Sequence, residues 1–416
     1  MVSLVLDLAL AQVLRRRRQS VVSVLGVALG VGAFIAMSAM MQGFQRDFVA
    51  RVIDVQPHVS IKDEFRLPAA QAAEIAAGPR AAVEVVGVRP VDEPRGIRGA
   101  GAIAAALGEM PGVAVAPTLA GQVLLRYGTR EVAATLTGIE PAAERRVSSL
   151  DRDMVEGSLD ALHAVANGLV LGEALARKLG ARAGTTLTLA GVQGVDMKAK
   201  VVGVFRTGIT TLDASVAYVL LAKAQVVLGR ANVVNQLRLR VAQPEAAREL
   251  ALGIEERFGY RAESWQEANA NVLGIFVIQR AIMFSTIGAI LVVAGFGIFN
   301  VVSTVAWEKA RDIAILKSIG FRERDILALF LLQGLVVGMA GAALGWLLGY
   351  ALVAFMGSLR FEIEGFVRLQ GFVLYRSPRH YAASGAFAVA VSLLASWVPS
   401  RRAARVNPVD IVRGAT

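Results

Sequence analysis

The sequence predicts a membrane protein: four transmembrane α-helices, with a large α+β extracytoplasmic (periplasmic) domain inserted between helices 1 and 2. Two observations lead there. Four uncharged stretches each reach the length of a membrane span, one near the start and three near the end of the chain. The long segment between the first two alternates strand-like and helix-like runs. Composition agrees, since 55% hydrophobic residues and a mean hydropathy of +0.55 are too apolar for an ordinary soluble chain, while 19% charged residues are too many for a wholly embedded one.

Span 1 is 21–42. Its 22 uncharged residues rise about 33 Å as a helix, which covers roughly 30 Å of hydrocarbon. Arg15 to Arg18 precede it. A retained anchor is expected here, because the apolar core of a cleaved signal peptide runs to about 15 residues at most. Ahead of it, 1–20 reads as a cytoplasmic amphipathic segment, with Leu4, Leu8 and Ala11 at helical spacing, lying along the inner membrane surface. The other spans are 281–307, 326–359 and 381–400. The third is longer than one crossing needs, which predicts tilt or extension past the interface.

Orientation follows from the basic flanks, because cytoplasmic loops are enriched in Lys and Arg. Arg15 to Arg18 put the N-terminus inside. The loop 308–325 carries Lys309, Arg311, Lys317, Arg322 and Arg324, and the tail 401–416 carries Arg401, Arg402, Arg405 and Arg413. Both are expected inside, which makes the chain a multi-pass protein of the bacterial inner membrane with both termini cytoplasmic. The domain 43–280 and the loop 360–380 then lie outside. That loop runs against the rule, with Arg360, Arg368, Arg376 and Arg379 on the outer face. The formal charge of +11 is thus read as topology; no aromatic interleaving marks a nucleic-acid surface.

Within the domain, runs of β-branched and apolar residues predict strands over 83–88, 122–127, 131–139, 185–189, 198–205, 218–221 and 236–241. Helices are predicted over 102–109, 172–179 and 244–258, the last opened by Pro244 and followed by Gly259. Two lobes are compatible with this length. Catalysis is not indicated. His58, His163 and His380 share no ligand spacing and read as surface or loop residues, the chain has no cysteine, and no G-x-S-x-G elbow frames a serine.

Energy has to come from elsewhere. No G-x-x-x-x-G-K-[ST] phosphate loop occurs, so no cofactor is expected on this chain and any ATP and Mg belong to a partner ATPase. The four spans also lack the ionisable residues of a proton-coupled carrier. Asn300 and Gln333 are their notable polar groups, expected to hydrogen-bond between helices.

Inside the cell, 308–320 (EKARDIAILKSIG) reads as a short amphipathic helix, apolar at Ala310, Ile313, Ala314 and Leu316 and charged at Lys309, Arg311, Asp312 and Lys317; Gly320 can stop it. Two readings stay open from spacing alone: an interfacial turn held by anionic lipid, or a docking helix for a partner's groove. In the spans, Gly26 with Gly30, Gly334 with Gly338, and Gly341, Gly345 and Gly349 have the spacing that lets helices approach closely. Met37, Met40 and Met41 at the outer end of span 1 either pack or adapt to acyl chains.

These segments resemble ABC transporter permeases of the FtsX/MacB superfamily, most closely the lipoprotein-releasing permeases of the LolC/LolE type. FNVVSTVAWEKARDIAILKSIGF (299–321) is similar to that family's second span and coupling helix. LVLGEALARKLGARAGTTLTL (169–189), SWQEANANVL (264–273) and PSRRAARVNPVDIVRG (399–414) follow in the family's order. The resemblance implies cytoplasmic ABC ATPase subunits pressed by Glu308, Lys309, Arg311, Asp312, Ile313, Leu316, Lys317 and Gly320, and a second permease, identical or related. It also implies movement of lipoproteins from the outer leaflet to a periplasmic lipoprotein carrier. Met37, Met40, Met41, Asn300, Gly334, Gly338, Gly341 and Gly345 are the implied substrate or helix-packing positions. The connection 190–197 is short where a carrier hook would be long, which argues against carrier capture by this chain. A MacB-like exporter of peptides or amphiphiles and an FtsX-like regulator of a periplasmic partner are the alternatives.

Overall fold

A computed structural model describes residues 17–65, 76–77, 96–191, 194–364 and 368–405. In chain order the elements are α1 (Arg17–Val55), β1 (Val59–Phe65), α2 (Ala100–Gly108), β2 (Val113–Tyr127), β3 (Arg130–Ile139), α3 (Pro141–Val147), β4 (Met154–Gly157) and α4 (Ala161–Ala164). Next come β5 (Gly168–Gly172), α5 (Glu173–Leu179), β6 (Thr186–Gly191), β7 (Asp196–Phe205), α6 (Thr210–Ser215), β8 (Val216–Leu220), α7 (Leu221–Val227), β9 (Gln236–Val241) and α8 (Ala247–Phe258). The last are β10 (Tyr260–Ser264), α9 (Trp265–Ala268), α10 (Ala270–Glu308), α11 (Ala310–Ser318), α12 (Glu323–Ser358), β11 (Glu362–Glu364), β12 (Arg368–Gln370) and α13 (Pro378–Ala404). The segment 1–16, the strand expected over 83–88 and the tail from 406 lie outside the described residues.

Two compact units emerge. The membrane unit comprises 1–47, 274–362 and 370–416; the soluble unit comprises 48–273 and 363–369. Four helices, α1, α10, α12 and α13, are long and apolar enough to cross a membrane. They outrun the uncharged stretches: α1 continues 13 residues past Gln42 and α10 starts at Ala270, well before 281. Charge ends a hydrocarbon crossing but not a helix, and Arg46, Arg51 and Arg280 in these extensions are good helix formers.

In the membrane unit α12 is central. A Cβ added at Gly341 would stand 2.6 Å from the Val27 Cβ, one at Gly345 2.5 Å from the Val31 Cβ, and one at Gly349 2.8 Å from the Ile35 Cδ1, so this row admits α1. Gly334 and Gly338, on another face, admit Ser396 and Ser392 of α13. Those serines turn inward without cost to the bundle because each hydroxyl donates to its own helix, Ser392 to the Ala388 carbonyl at 2.8 Å and Ser396 to that of Ser392 at 2.6 Å. On α1, Gly26 and Gly30 face Ala294 and Leu291 of α10. All of the small-residue pairs anticipated from spacing are thus contacts between spans of one chain. Between α12 and α13 the chain folds back on α1: the Tyr375 N–H donates to the Ala39 carbonyl at 2.9 Å, and the Arg46 guanidinium lies 3.5 Å from the Tyr375 ring centre.

The soluble unit has two lobes joined by β2. Its first half, from Val113, pairs antiparallel with β9, which leads on to β1 and β10. Its second half pairs with β3 (Leu119 opposite Gly138) and with β6 (Leu125 opposite Leu189). Following the pairings, β2, β3, β8, β5, β7 and β6 form a closed ring of six strands, with β3–β8 and β5–β7 parallel. Residues two apart bury one face together: Val123 and Leu125, Ala134 and Leu136, Leu169 and Leu171, Leu187 and Leu189, Ala199 and Val201, Ala217 and Val219. On the other face Val170, Phe205 and Tyr218 join Leu150, Leu159 and Leu162. β5 is therefore buried throughout, as parallel strands covered on both sides are. It shows no polar alternation, and it was not among the strands anticipated from sequence; neither were β1, β4 and β10.

Candidate coupling site

The hairpin between α10 and α12 is built from local signals. α10 ends at Glu308 and Lys309 leaves helical geometry. Two turns of α11 follow, ended by Gly320 at φ +112°, a backbone state that a Cβ disfavours. Asp325 then accepts the Arg322 N–H at 2.9 Å and starts α12.

Packing divides the anticipated coupling residues into two groups. Ile313, 3% exposed, and Ala314 insert among Val305, Ala306, Ile326, Phe330 and Ala403, with Leu316 and Phe321 against the same cluster. Ile313 and Leu316 therefore clamp α11 to the bundle, and their side chains are not on the outward face. This corrects the reading from amphipathic spacing, which takes the apolar stripe as the docking face. Lys317 lies mostly buried, 3.9 Å from Glu323. Lys309 and Asp312 pair with each other at 2.6 Å. Outward stand Glu308, Arg311, Asp312 and Gly320, together with two residues not singled out from the sequence, Ile315 (52% exposed) and Ile319 (74%). Arg311, Ile315 and Ile319 recur every fourth residue, so they form one stripe. The signal was present in the spacing, but the helix carries apolar residues on two faces and only the bundle chooses which one is hidden.

The other candidate positions also separate. Met41 is buried with Met283, Ile287 and Leu291, Met40 is half-buried, and Met37 lies on the surface of α1. Asn300 stands exposed on α10, and Gln333 is buried with its Oε1 unpartnered; among the described residues neither shows the interhelical hydrogen bond expected of it. Two histidines are not surface residues. His380 is buried beside Tyr375. His58, 1% exposed, accepts the Val241 N–H at Nδ1 (3.1 Å) and donates from Nε2 to the Ile53 carbonyl (3.0 Å). Burial, reinforced by the Arg240 charge, holds its pKa below the ordinary histidine value. His163 is exposed, 3.1 Å from Glu140.

Comparison with known proteins finds two family matches along the chain. The MacB-like periplasmic core domain family matches residues 20–256, and the FtsX-like permease C-terminal family matches 283–408. Among relatives, the lipoprotein-releasing system transmembrane protein LolC of Neisseria meningitidis serogroup B is 26% identical over 426 aligned positions, covering 95% of this chain and 94% of the relative. The corresponding LolE of Haemophilus influenzae is 27% identical, covering 94% and 93%. The macrolide export ATP-binding/permease protein MacB of Shewanella sp. (strain ANA-3) is 23% identical, covering 97% of this chain and 60% of the relative. With the periplasmic-core match alone spanning more than half of its length, this chain belongs to the ABC transporter permeases that join a MacB-like periplasmic core domain to an FtsX-like C-terminal region.

Proposed function

We propose that this chain is the permease subunit of an ATP-driven transporter that draws lipoproteins from the outer leaflet of the bacterial inner membrane for delivery to the outer membrane. In this reading both termini and the α10–α12 hairpin are cytoplasmic, and cytoplasmic ABC ATPase subunits hold the ATP and Mg. A second permease, identical or related, completes the membrane part. Closure of the ATPases presses on α11, and because α11 is clamped to the bundle the push passes into α10 and α12 and so to the periplasmic domain.

The observation that carries this reading is the exposed Ile315–Ile319 face on a helix whose opposite face, Ile313 and Ala314, is locked into the bundle. An apolar face presented outward on a rigid short helix suits a partner's groove, with the flanking Arg311 and Asp312 setting register. The LolC and LolE relatives, aligned over nearly the whole chain, supply the cargo class. Carrier capture falls to the partner permease, since β6 and β7 are joined by a short connection, with Ala190 opposite Asp196.

The test is purification of the chain from membranes with its co-expressed ATPase, followed by crosslinking to mature lipoproteins. Recovery of the ATPase and an ATP-sensitive lipoprotein adduct is the expected result. No ATPase partner would overturn the permease reading. An ATPase partner with peptide or amphiphile adducts alone would favour the MacB-like exporter, and lipoprotein localisation unaffected by depletion, with a cell-separation defect, the FtsX-like regulator.

A further inference from the structure

The outer surface of α12 and α13 carries a groove of about 540 Å³, lined by Met339, Ala342, Trp346, Ala382, Gly385 and Val389 and almost wholly apolar. Small residues form its floor. Trp346 forms one wall, held by a hydrogen bond from its indole N–H to the Tyr381 carbonyl at 3.0 Å, and Gly385 admits the ring edge, which a Cβ there would meet at 2.8 Å. From Met339 to Trp346 the helix rises about 10 Å, most of the roughly 15 Å depth of one leaflet. The opposite membrane face is marked on α13 by Trp397, whose ring lies 5.6 Å from the Arg401 guanidinium. Trp397 is about 24 Å along the helix from Tyr381. The groove therefore opens into the leaflet away from Arg401.

At the Tyr381 end the chain presents two cations. Arg376 and Arg379, in the segment leading into α13 and its first turn, are both exposed, and neither has a carboxylate partner among the described side chains. Arg376 leans toward α12, where a Cβ at Gly357 would stand 3.9 Å from its Nη2. These are two of the arginines that break the positive-inside pattern. A guanidinium offers two parallel donors to a phosphate, so an exposed pair above an acyl-sized groove complements a phosphodiester head with chains beneath it.

We infer that the α12–α13 groove seats an acyl chain of an anionic phospholipid, with the lipid phosphate held by Arg376 and Arg379. The occupant is a resident membrane lipid and not the transported cargo. Only the identity of the leaflet, periplasmic, rests on the topology proposed above.

The full-length chain carrying Trp307→Phe and Trp397→Phe, in phosphatidylcholine vesicles, leaves Trp346 as the tryptophan in the bilayer; Trp265 belongs to the soluble unit. Phosphatidylglycerol or phosphatidylcholine with brominated acyl chains, added at low mole fraction to both leaflets, then quenches Trp346 according to occupancy of the groove. Brominated phosphatidylglycerol should be preferred about fivefold for each guanidinium, the scale of one cation beside an anionic lipid. Arg376→Gln with Arg379→Gln should abolish that preference, and Ala386→Leu, at a residue that also lines the groove, fills it, leaves the charges and should reduce quenching by both lipids. Equal quenching by the two lipids in the unaltered groove, or a preference that survives loss of both arginines, would overturn the inference. Because the lipid is present on both sides, this outcome is independent of orientation; labelling of Arg379→Cys in this cysteine-free chain by an impermeant maleimide reports orientation separately.

Discussion

Arg238 on β9 donates to Glu144 Oε1 on α3 across 2.7 Å, 94 residues away in the chain, and the same oxygen accepts the Ser148 hydroxyl at 2.6 Å. Both charges are buried. Burial alone would lower the pKa of the Arg238 guanidinium, but the Glu144 charge and the Tyr218 hydroxyl outweigh it and hold the value above normal. Burial pushes the Tyr218 hydroxyl up to about 12. This pair ties β9 to α3, and Arg238 also bonds Tyr218 on β8 of the six-stranded ring. Removing one partner strands a buried charge, so Glu144→Ala should destabilise the soluble unit by about 3–5 kcal/mol. Glu144→Leu with Arg238→Met should recover most of that loss. Thermal unfolding of the purified protein, followed by proteolysis of the soluble unit, checks both.

The glycine rows make a second prediction. Gly345→Val forces methyls into Val31 and should cost about 1–3 kcal/mol, with partial rescue by Val31→Ala. Gly288 on α10 faces open space, so Gly288→Ala should be neutral or stabilising by up to about 1 kcal/mol. The melting temperature in detergent separates the two cases.

On the hairpin, the exposed and buried isoleucines should fail in different ways. Ile319→Asp should leave the protein folded and weaken ATPase co-purification by about 30-fold, the effect of losing an interface anchor worth roughly 2 kcal/mol. Ile313→Ala should lower bundle stability by about 2–5 kcal/mol, because it opens a cavity against Phe330. Pull-down of the ATPase beside a melting curve distinguishes contact from clamp.

His58 predicts a pH dependence. Its folded pKa lies below the unfolded value of about 6.5, so the unfolded chain binds the proton first and stability rises with pH up to that value. The contribution is complete above pH of about 6.5 and is lost as pH falls below it. Denaturant midpoints of the soluble unit should drop between pH 7.5 and 5.5, and less so in His58→Gln, whose amide can keep both backbone partners.

Much of this was legible in order and type. The strands expected over 131–139, 198–205 and 236–241 appear as β3, β7 and β9, and the helix expected over 172–179 is α5 with Gly172 as its N-cap. Those segments alternate or carry caps, so their period shows locally. β5 was not legible because a strand buried on both faces has no polar beat, and β1 and β10 were hidden because Lys62, Asp63 and Glu64 look like a loop until Glu263 and Arg261 pair across from them.

By itself, the sequence determined that four helices are long and apolar enough to cross a membrane and that an α+β domain sits between the first two. Those are properties of length, charge and period along one strand of chain, and water and hydrocarbon enforce them wherever the segments lie. Tertiary structure alone decided that Ile313 is clamp and Ile319 is surface, that the glycine rows join α12 to α1 and α13, and that Arg238 meets Glu144. Each of these depends on which distant residue arrives to cover a side chain, and burial is a property of the pair.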